Sequence, residues 1–341
     1  MFTPISLDII PMKPTELIAR YAEGETQFSG LKLPGVNLVG ADLIGIVLNG
    51  ADLHGANLLF TYLNRANLAQ ANLVAANLSG ASLNQADLNG ADLRSANLHG
   101  ALLQGANLRD TDITLAILLD ANLIGADLRG ADLSSANLTG ACLRGTNMRQ
   151  ENKNSNTNLQ AANLYRADLQ GANMKGVNLV RANLVGANLK EANLSNVDIR
   201  NADLTNANLQ GALLTDANLV GVCLVGANLA GANLVRSKMS DTEAMGANFH
   251  SAIMTEIKLD RANLSQANFQ AARMNHADLR RANLSGVNFR EAELIDAFFA
   301  RANLTGADLS NANLTGAELM SANLMGVNFL GAIMPDGRIN N

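Results

Sequence analysis

Histidine and cysteine, the side chains most typical of zinc sites, are few and widely scattered in this sequence of 341 residues. There are four histidines and two cysteines: His54, His99, His250, His276, Cys142 and Cys223. A zinc site takes three or four such ligands at short, characteristic spacing, which none of these residues has. The sequence therefore predicts no metal site and no cofactor. The two distant cysteines indicate a reducing compartment rather than a disulfide framework.

The acidic residues are placed more regularly, but in the manner of a structural repeat. Many Asp residues directly precede a leucine, and Asn takes the same place in neighbouring copies, as at Asp52 and Asn57. A catalytic carboxylate pair would not tolerate this exchange, because acid and base catalysis both need an ionisable group. Glycine is frequent, yet no glycine-rich phosphate loop lies between a strand and a helix. We therefore predict that the protein is not an enzyme.

The charge balance is mildly acidic, with a net charge of −5 at pH 7. A protein that binds DNA or RNA directly would carry a basic stripe to meet phosphates, so we expect no nucleic-acid partner. The first residues do not combine a basic start with an apolar run, and no run of about 18 apolar residues could span a membrane. We expect a cytoplasmic protein without a membrane partner.

A five-residue repeat fills most of the chain. Ala-Asn-Leu or Ala-Asp-Leu recurs at multiples of five in two blocks, whose centre residues run over 28–148 and 159–334. This period matches neither an α-helix nor a flat strand, but a chain that turns a corner every five residues keeps each Leu, and the Ala two before it, inside. Four corners close a coil of four repeats, so equivalent positions stack. One interior column is then aromatic: Phe249, Phe269 and Phe289.

These repeats resemble those of the pentapeptide-repeat proteins, whose consensus is Ala-(Asp/Asn)-Leu-X-X, over about nine-tenths of the chain. The resemblance implies an all-β fold, a right-handed quadrilateral parallel β-helix solenoid. Here it would have about 15 coils and a short N-terminal capping α-helix. The regular repeats and the helix are similar to those of cyanobacterial members, some of which regulate cell differentiation.

The pattern divides the chain into five segments. They are an N-terminal segment 1–27 with a capping helix at about 14–23, a first block 28–148, a polar interruption 149–158, a second block 159–334 and a C-terminal tail 335–341. Pro14 and Glu16 in the first turn and Gly24 after the last turn predict the helix. The C-terminal end has no such helix. Either the tail folds across the last coil, or two chains meet end to end, as in family members that dimerise through this end.

The interruption is polar and has no leucine to bury, and it breaks the five-residue register between Met148 and Leu159. Loops on rigid scaffolds often carry function. A tolerated insertion, either a protruding loop or a bulge, is the alternative. The candidate loop residues are Glu151, Asn152, Lys153 and Asn154.

A second irregularity spans roughly residues 237–258. Ser237, Thr242 and Ile257 replace the inward Ala there, and Ala244 takes a centre position. We expect one coil to pack less well at this point, giving a kink or a softer site.

One feature of the surface charge is regular. Arg261, Arg281 and Arg301 are each four repeats apart and should stack at one corner as an arginine ladder, and Arg280 and Arg290 should thicken its basic side. Stacked like charges repel until they are neutralised. The ladder is therefore either a solvated face paired with nearby acids or a docking stripe for an acidic partner surface.

The function predicted from these features is a non-catalytic protein–protein interaction scaffold with a regulatory role. A rigid four-sided rod offers a large flat surface to a partner but no concave pocket. Other family members imply an alternative, a DNA mimic that inhibits or protects DNA gyrase, a type II topoisomerase. That mechanism needs a strongly negative face, which a net charge of −5 and an arginine ladder fit poorly. A structural spacer that assembles end to end is a third possibility.

Overall fold

The structure, a computed structural model, describes residues 12–152 and 156–341. Its one α-helix in these ranges, α1, covers Pro14–Ala22, one residue shorter than predicted. Pro14 and the acidic Glu16 occupy its first turn, and Arg20 lies in its last turn, where a cation favours the helix dipole. Leu17 is fully buried against the repeats, so α1 covers the first coil.

The rest of the described chain is a β-helix-like coil held by short parallel bridges rather than by long strands. The residue before each centre pairs with its counterpart four repeats further on, from Gln27 with Val47 to Asn313 with Ile333. We number the four sides of the coil by their first centres: Phe28 for side 1, Leu33 for side 2, Leu38 for side 3 and Leu43 for side 4. Each coil adds one repeat to each side.

A tight turn at every corner explains the five-residue period. The backbone N–H three residues after a centre donates to the carbonyl of that centre, as Ala51 does to Leu48 at 3.0 Å. The second residue after the centre takes a positive φ, as in type II turns, so glycine is common there. Non-glycine residues adopt the same conformation at a cost, including Phe60 at φ 55° and Leu115 at φ 60°.

The core is a narrow double column of leucine and alanine, with phenylalanine in one stretch of side 4. Phe249 stacks on Phe269 with 4.7 Å between ring centroids, and Phe269 stacks on Phe289 at 5.2 Å. Phe299 on side 2 meets the edge of Phe289 at 6.4 Å. The predicted interior aromatic column is therefore confirmed.

The interruption lengthens one coil without removing a side. Across it, the bridge partners lie six positions further apart in the sequence than they do elsewhere, as for Asp132 with Asn158. The additional residues lie at the corner between sides 1 and 2, and Lys153 and Asn154 fall outside the described residues. Thr157 closes this corner, because its buried hydroxyl lies 2.8 Å from the Met148 carbonyl and 2.9 Å from that of Leu128.

The irregular stretch at residues 237–258 keeps its register. Ser237 and Thr242 are fully buried, and their hydroxyls donate to the carbonyls of Leu234 and Leu219. Ala244 is also buried, and the bridges continue at the regular four-repeat spacing on both sides of it. Polar side chains are therefore accepted at the inward position because a main-chain carbonyl satisfies each hydroxyl.

The two ends of the rod are closed differently. The C-terminal tail folds back so that Ile339 pairs antiparallel with Ile333, which covers side 1 of the last coil. The other three centres, Leu319, Leu324 and Phe329, remain partly exposed, and within the described chain their backbone N–H groups have no partner in a further coil. Of the two predicted arrangements, the folded tail is present and covers one side of four.

Candidate interaction surfaces

The predicted arginine ladder exists as a column at the corner between sides 2 and 3. Arg261, Arg281 and Arg301 take the same turn position in successive coils, with φ of 60°, 60° and 62°. The backbones of these successive coils are hydrogen-bonded to one another, as where the Arg281 N–H donates to the Ala300 carbonyl at 3.0 Å. The four-repeat spacing therefore does place these three side chains one above another.

The first arginine of the ladder is already neutralised. Arg261 donates two hydrogen bonds to Asp241, at 2.7 and 2.8 Å, and also lies 2.6 Å from Asp260. The hydrogen bond from Arg261 holds the pKa of the Asp241 carboxyl below its ordinary value. Arg281 and Arg301 make no ion pair with any residue in the described ranges. Two of the three cations therefore stay available to a partner.

The two arginines expected to thicken the basic side of the ladder behave differently. Arg280 lies beside it on side 2 but is held by Asp278, with two hydrogen bonds of 2.7 Å. Hydrogen bonds from Arg280 lower the pKa of the Asp278 carboxyl. Arg290 follows a side 4 centre and therefore lies on the opposite side of the coil. The prediction that Arg290 thickens the basic side is wrong, because two repeats carry the chain past two corners.

Apolar neighbours of the ladder were missed by sequence reasoning. Phe298 occupies a bridge position on side 2 and is 41% exposed, and Met320 follows the next centre on that side and is 69% exposed. With Arg281 and Arg301 they line an open depression of about 540 Å³. We call these four residues the C-terminal patch. The sequence carried a signal, since Phe298 replaces the usual Asn or Asp.

The interruption makes its own contacts with side 1. Glu151 accepts hydrogen bonds from Arg109, at 2.6 Å, and from Arg129. Arg129 also pairs with Asp127. Asn152 is exposed. The side chain of Glu151 therefore fastens the insertion to the two preceding coils.

Arg109 and Arg129 belong to a second column of cations that the sequence analysis did not single out. Each of its members directly follows a side 1 centre in successive coils, and the bridge pairs of side 1 establish the register. We call it the basic column, and its members are Arg109, Arg129, Arg149 and Lys175. The sequence carried a signal, since Arg109, Arg129 and Arg149 are each four repeats apart, and only Lys175 lies beyond the insertion, which adds six positions to its spacing from Arg149.

Among the described residues, no group of three or more His, Cys, Asp or Glu side chains could hold a metal ion. His99 and His276 each lie near one aspartate, at 4.0 Å from Asp120 and 3.8 Å from Asp296. Both cysteines are free and partly buried. No helix in the described ranges has the length and apolar character needed to cross a bilayer.

The family model named Pentapeptide repeats matches the chain repeatedly over residues 25–110, 118–150, 155–190 and 192–336. The chain belongs to the pentapeptide-repeat family. No curated protein sequence matches it significantly.

Solved structures of other pentapeptide-repeat proteins are similar to this chain. HetL, a protein involved in heterocyst differentiation regulation from the cyanobacterium Nostoc sp. strain PCC 7120, is 29% identical, with 96% of this chain and 100% of HetL covered and a TM-score of 0.21. Rfr23 from the cyanobacterium Cyanothece 51142 is 27% identical over 33% of this chain and 86% of its own, at a TM-score of 0.15. Full-length QnrB1, a plasmid-mediated fluoroquinolone resistance protein, is 18% identical over 66% and 92%, at 0.23.

Proposed function

We propose that this pentapeptide-repeat protein is a non-catalytic scaffold that binds a protein partner at the C-terminal patch. The observation that carries the proposal is the pairing of two unneutralised guanidinium groups, Arg281 and Arg301, with two exposed apolar side chains, Phe298 and Met320. Arginine, methionine and aromatic residues are enriched at protein interfaces relative to other surfaces. The depression is open rather than enclosed, which suits a protein surface better than a small molecule.

The chemistry of the patch defines the partner. Stacked arginines at about 4.8 Å repel one another until acidic groups neutralise them. Phe298 and Met320 favour an apolar side chain next to that acidic group. The proposed partner surface therefore presents Asp or Glu beside an exposed hydrophobic residue.

Affinity capture from an extract of the source organism tests this proposal. The bait is the wild-type chain, compared with an Arg281→Glu/Arg301→Glu variant and with the charge-matched control Arg65→Glu/Lys190→Glu on other parts of the rod. A partner retained by wild type and control but lost by the first variant supports the proposal. Equal retention by all three chains refutes the assignment of the patch.

The alternative, a DNA mimic that acts on DNA gyrase, has no acidic face to support it at this surface. Of the acidic residues beside the ladder, Asp241, Asp260 and Asp278 are engaged by arginines. Glu318, which also lines the depression, makes no ion pair in the described ranges and is a single carboxylate rather than an acidic face. A supercoiling assay with purified gyrase distinguishes the two functions. Inhibition at low concentration of this protein would favour the DNA mimic.

We further propose that the open C-terminal end meets a second copy of the chain. Leu324 and Phe329 of the last coil are partly exposed, and Met325 and Leu330 beside them are 69% and 63% exposed. Unpaired backbone groups at a sheet edge bond readily to another edge. Sedimentation should give a dimer for wild type and a monomer for Leu324→Glu/Phe329→Glu. A wild-type mass that stays monomeric at all concentrations refutes this.

A further inference from the structure

We propose that the basic column on side 1 is a docking surface for an acidic segment of a protein, and that Glu151 of the insertion is its internal competitor. This surface lies away from the C-terminal patch, and the proposal does not depend on that patch. It rests on the stacked register of the column, the position of Glu151 and the exposure of the two remaining cations.

The register brings four cations into one line. The bridges of Asn107 with Asp127, Asp127 with Asn147 and Asn147 with Asn173 put the residues that follow their centres in adjacent coils. Neighbouring coils lie about 4.8 Å apart. Four like charges at this spacing repel one another, and the repulsion is relieved when anionic groups lie along the line.

Glu151 shows that the column accepts a carboxylate. Its two oxygens bind Arg109 and Arg129, so one carboxylate bridges two adjacent coils. Arg129 also binds Asp127. Burial alone would raise the pKa of the Asp127 carboxyl, but the hydrogen bonds from Arg129 bring it below its ordinary value. The N-terminal half of the column is therefore neutralised from within the chain.

The C-terminal half of the column has no such partner. Arg149 and Lys175 are exposed, and neither makes an ion pair with any residue the structure describes. They border an open depression of about 430 Å³, together with Gln150, Glu151, Asn173 and Asn193. Glu151 makes its ion pairs with Arg109 and Arg129 and not with these two cations. Two free cations flanked by amide groups are suited to bind further carboxylates.

An acidic protein segment fits this arrangement better than nucleic acid does. The group already held by the column is a side-chain carboxylate, which is what an acidic protein segment would supply. The whole chain has a net charge of −5. Its electrostatic repulsion is therefore greater for the long phosphate backbone of a nucleic acid than for a short acidic peptide. Such a segment would bind Arg149 and Lys175 first and then displace Glu151 from Arg109 and Arg129.

Fluorescence anisotropy with a labelled deca-aspartate peptide at low salt tests both parts. Arg149→Gln/Lys175→Gln should weaken binding by about tenfold, since it removes two exposed charge pairs. Glu151→Gln should tighten binding by about fivefold, because it frees Arg109 and Arg129. The charge-matched controls, Lys32→Gln/Arg65→Gln and Asp203→Asn, should change the affinity by less than about twofold.

Three outcomes would overturn the proposal. Equal loss with Lys32→Gln/Arg65→Gln would show that the peptide responds to net charge and not to the column. Unchanged affinity with Glu151→Gln would remove the role of internal competitor. A single-stranded oligonucleotide that binds the column more tightly than the peptide, and loses affinity with Arg149→Gln/Lys175→Gln, would replace the protein segment by nucleic acid.

Discussion

Replacing Phe269 by alanine should be among the most destabilising single changes in this molecule. The ring lies between two parallel neighbours, with its centroid 4.7 Å from that of Phe249 and 5.2 Å from that of Phe289. The side chain is fully buried, so contacts with water cannot replace the packing contacts that are lost when the ring is removed. The bridges above and below hold the coils at fixed spacing, which limits how far the core can collapse.

The magnitude follows from two contributions. Truncating a buried phenylalanine to alanine costs about 3–5 kcal/mol, including the cavity that remains. Each of the two ring pairs contributes roughly 0.5–1.5 kcal/mol beyond burial, which places Phe269→Ala at the upper end of that range. Phe269→Leu is the matched control, because leucine is the usual centre residue of this repeat. It should cost about 1–2 kcal/mol, since it retains most of the volume.

Urea denaturation followed by circular dichroism gives the free energy of unfolding for both variants. Amide hydrogen exchange should be measured in parallel, because a repeat protein can open locally around one damaged coil. We expect faster exchange to be centred on the coils of residues 249–289. A loss below about 1 kcal/mol for Phe269→Ala, with unchanged exchange, would refute the account of a rigid stacked core.

Further changes test the corners and a surface ion pair. Leu115→Gly should raise the free energy of unfolding by roughly 0.5–1 kcal/mol in urea denaturation, because Leu115 is 60% exposed and adopts a φ of 60° that glycine takes without strain. Gly80→Ala should lower the thermal midpoint, since its Cβ would strike the Phe60 ring, and adding Phe60→Gly should restore part of the loss. Asp278→Asn should lower stability by about 1 kcal/mol at pH 7 in denaturant titrations. Because Arg280 lowers the pKa of the folded Asp278, this contribution is present above the ordinary carboxyl pKa of about 3.9, and the difference from wild type should vanish as pH falls through the lower folded value.

The repeat made the coil predictable from the sequence, because every fifth residue has the same environment. The inward Leu and Ala, the stacked phenylalanines and the helix at Pro14–Ala22 all follow from local patterns. The right-handed winding stays a prediction. Ser237 and Thr242 are expected from the sequence to loosen the packing of a coil. In the structure each buried hydroxyl donates to a main-chain carbonyl, a contact that the five-residue period alone does not reveal.

The contacts at the surface were less predictable than the coil. The four-repeat spacing puts Arg261 next to Asp241, but spacing alone does not show which arginines of the ladder pair with acids and which stay unpaired. The position of Arg290 was misjudged because two repeats carry the chain to the opposite side. The contacts of Glu151 lie beyond a break in the period, where spacing no longer gives the register.

A photo-crosslinking amino acid at position 298 tests the proposed interaction scaffold most directly. The modified chain would be added to an extract of the source organism, illuminated, and compared with a chain that carries the same group at position 270 on side 4. The account predicts a discrete heavier product from position 298 that is absent from position 270 and is lost with Arg281→Glu/Arg301→Glu. No product at position 298, or equal products at both positions, would contradict the claim that the C-terminal patch binds a specific protein.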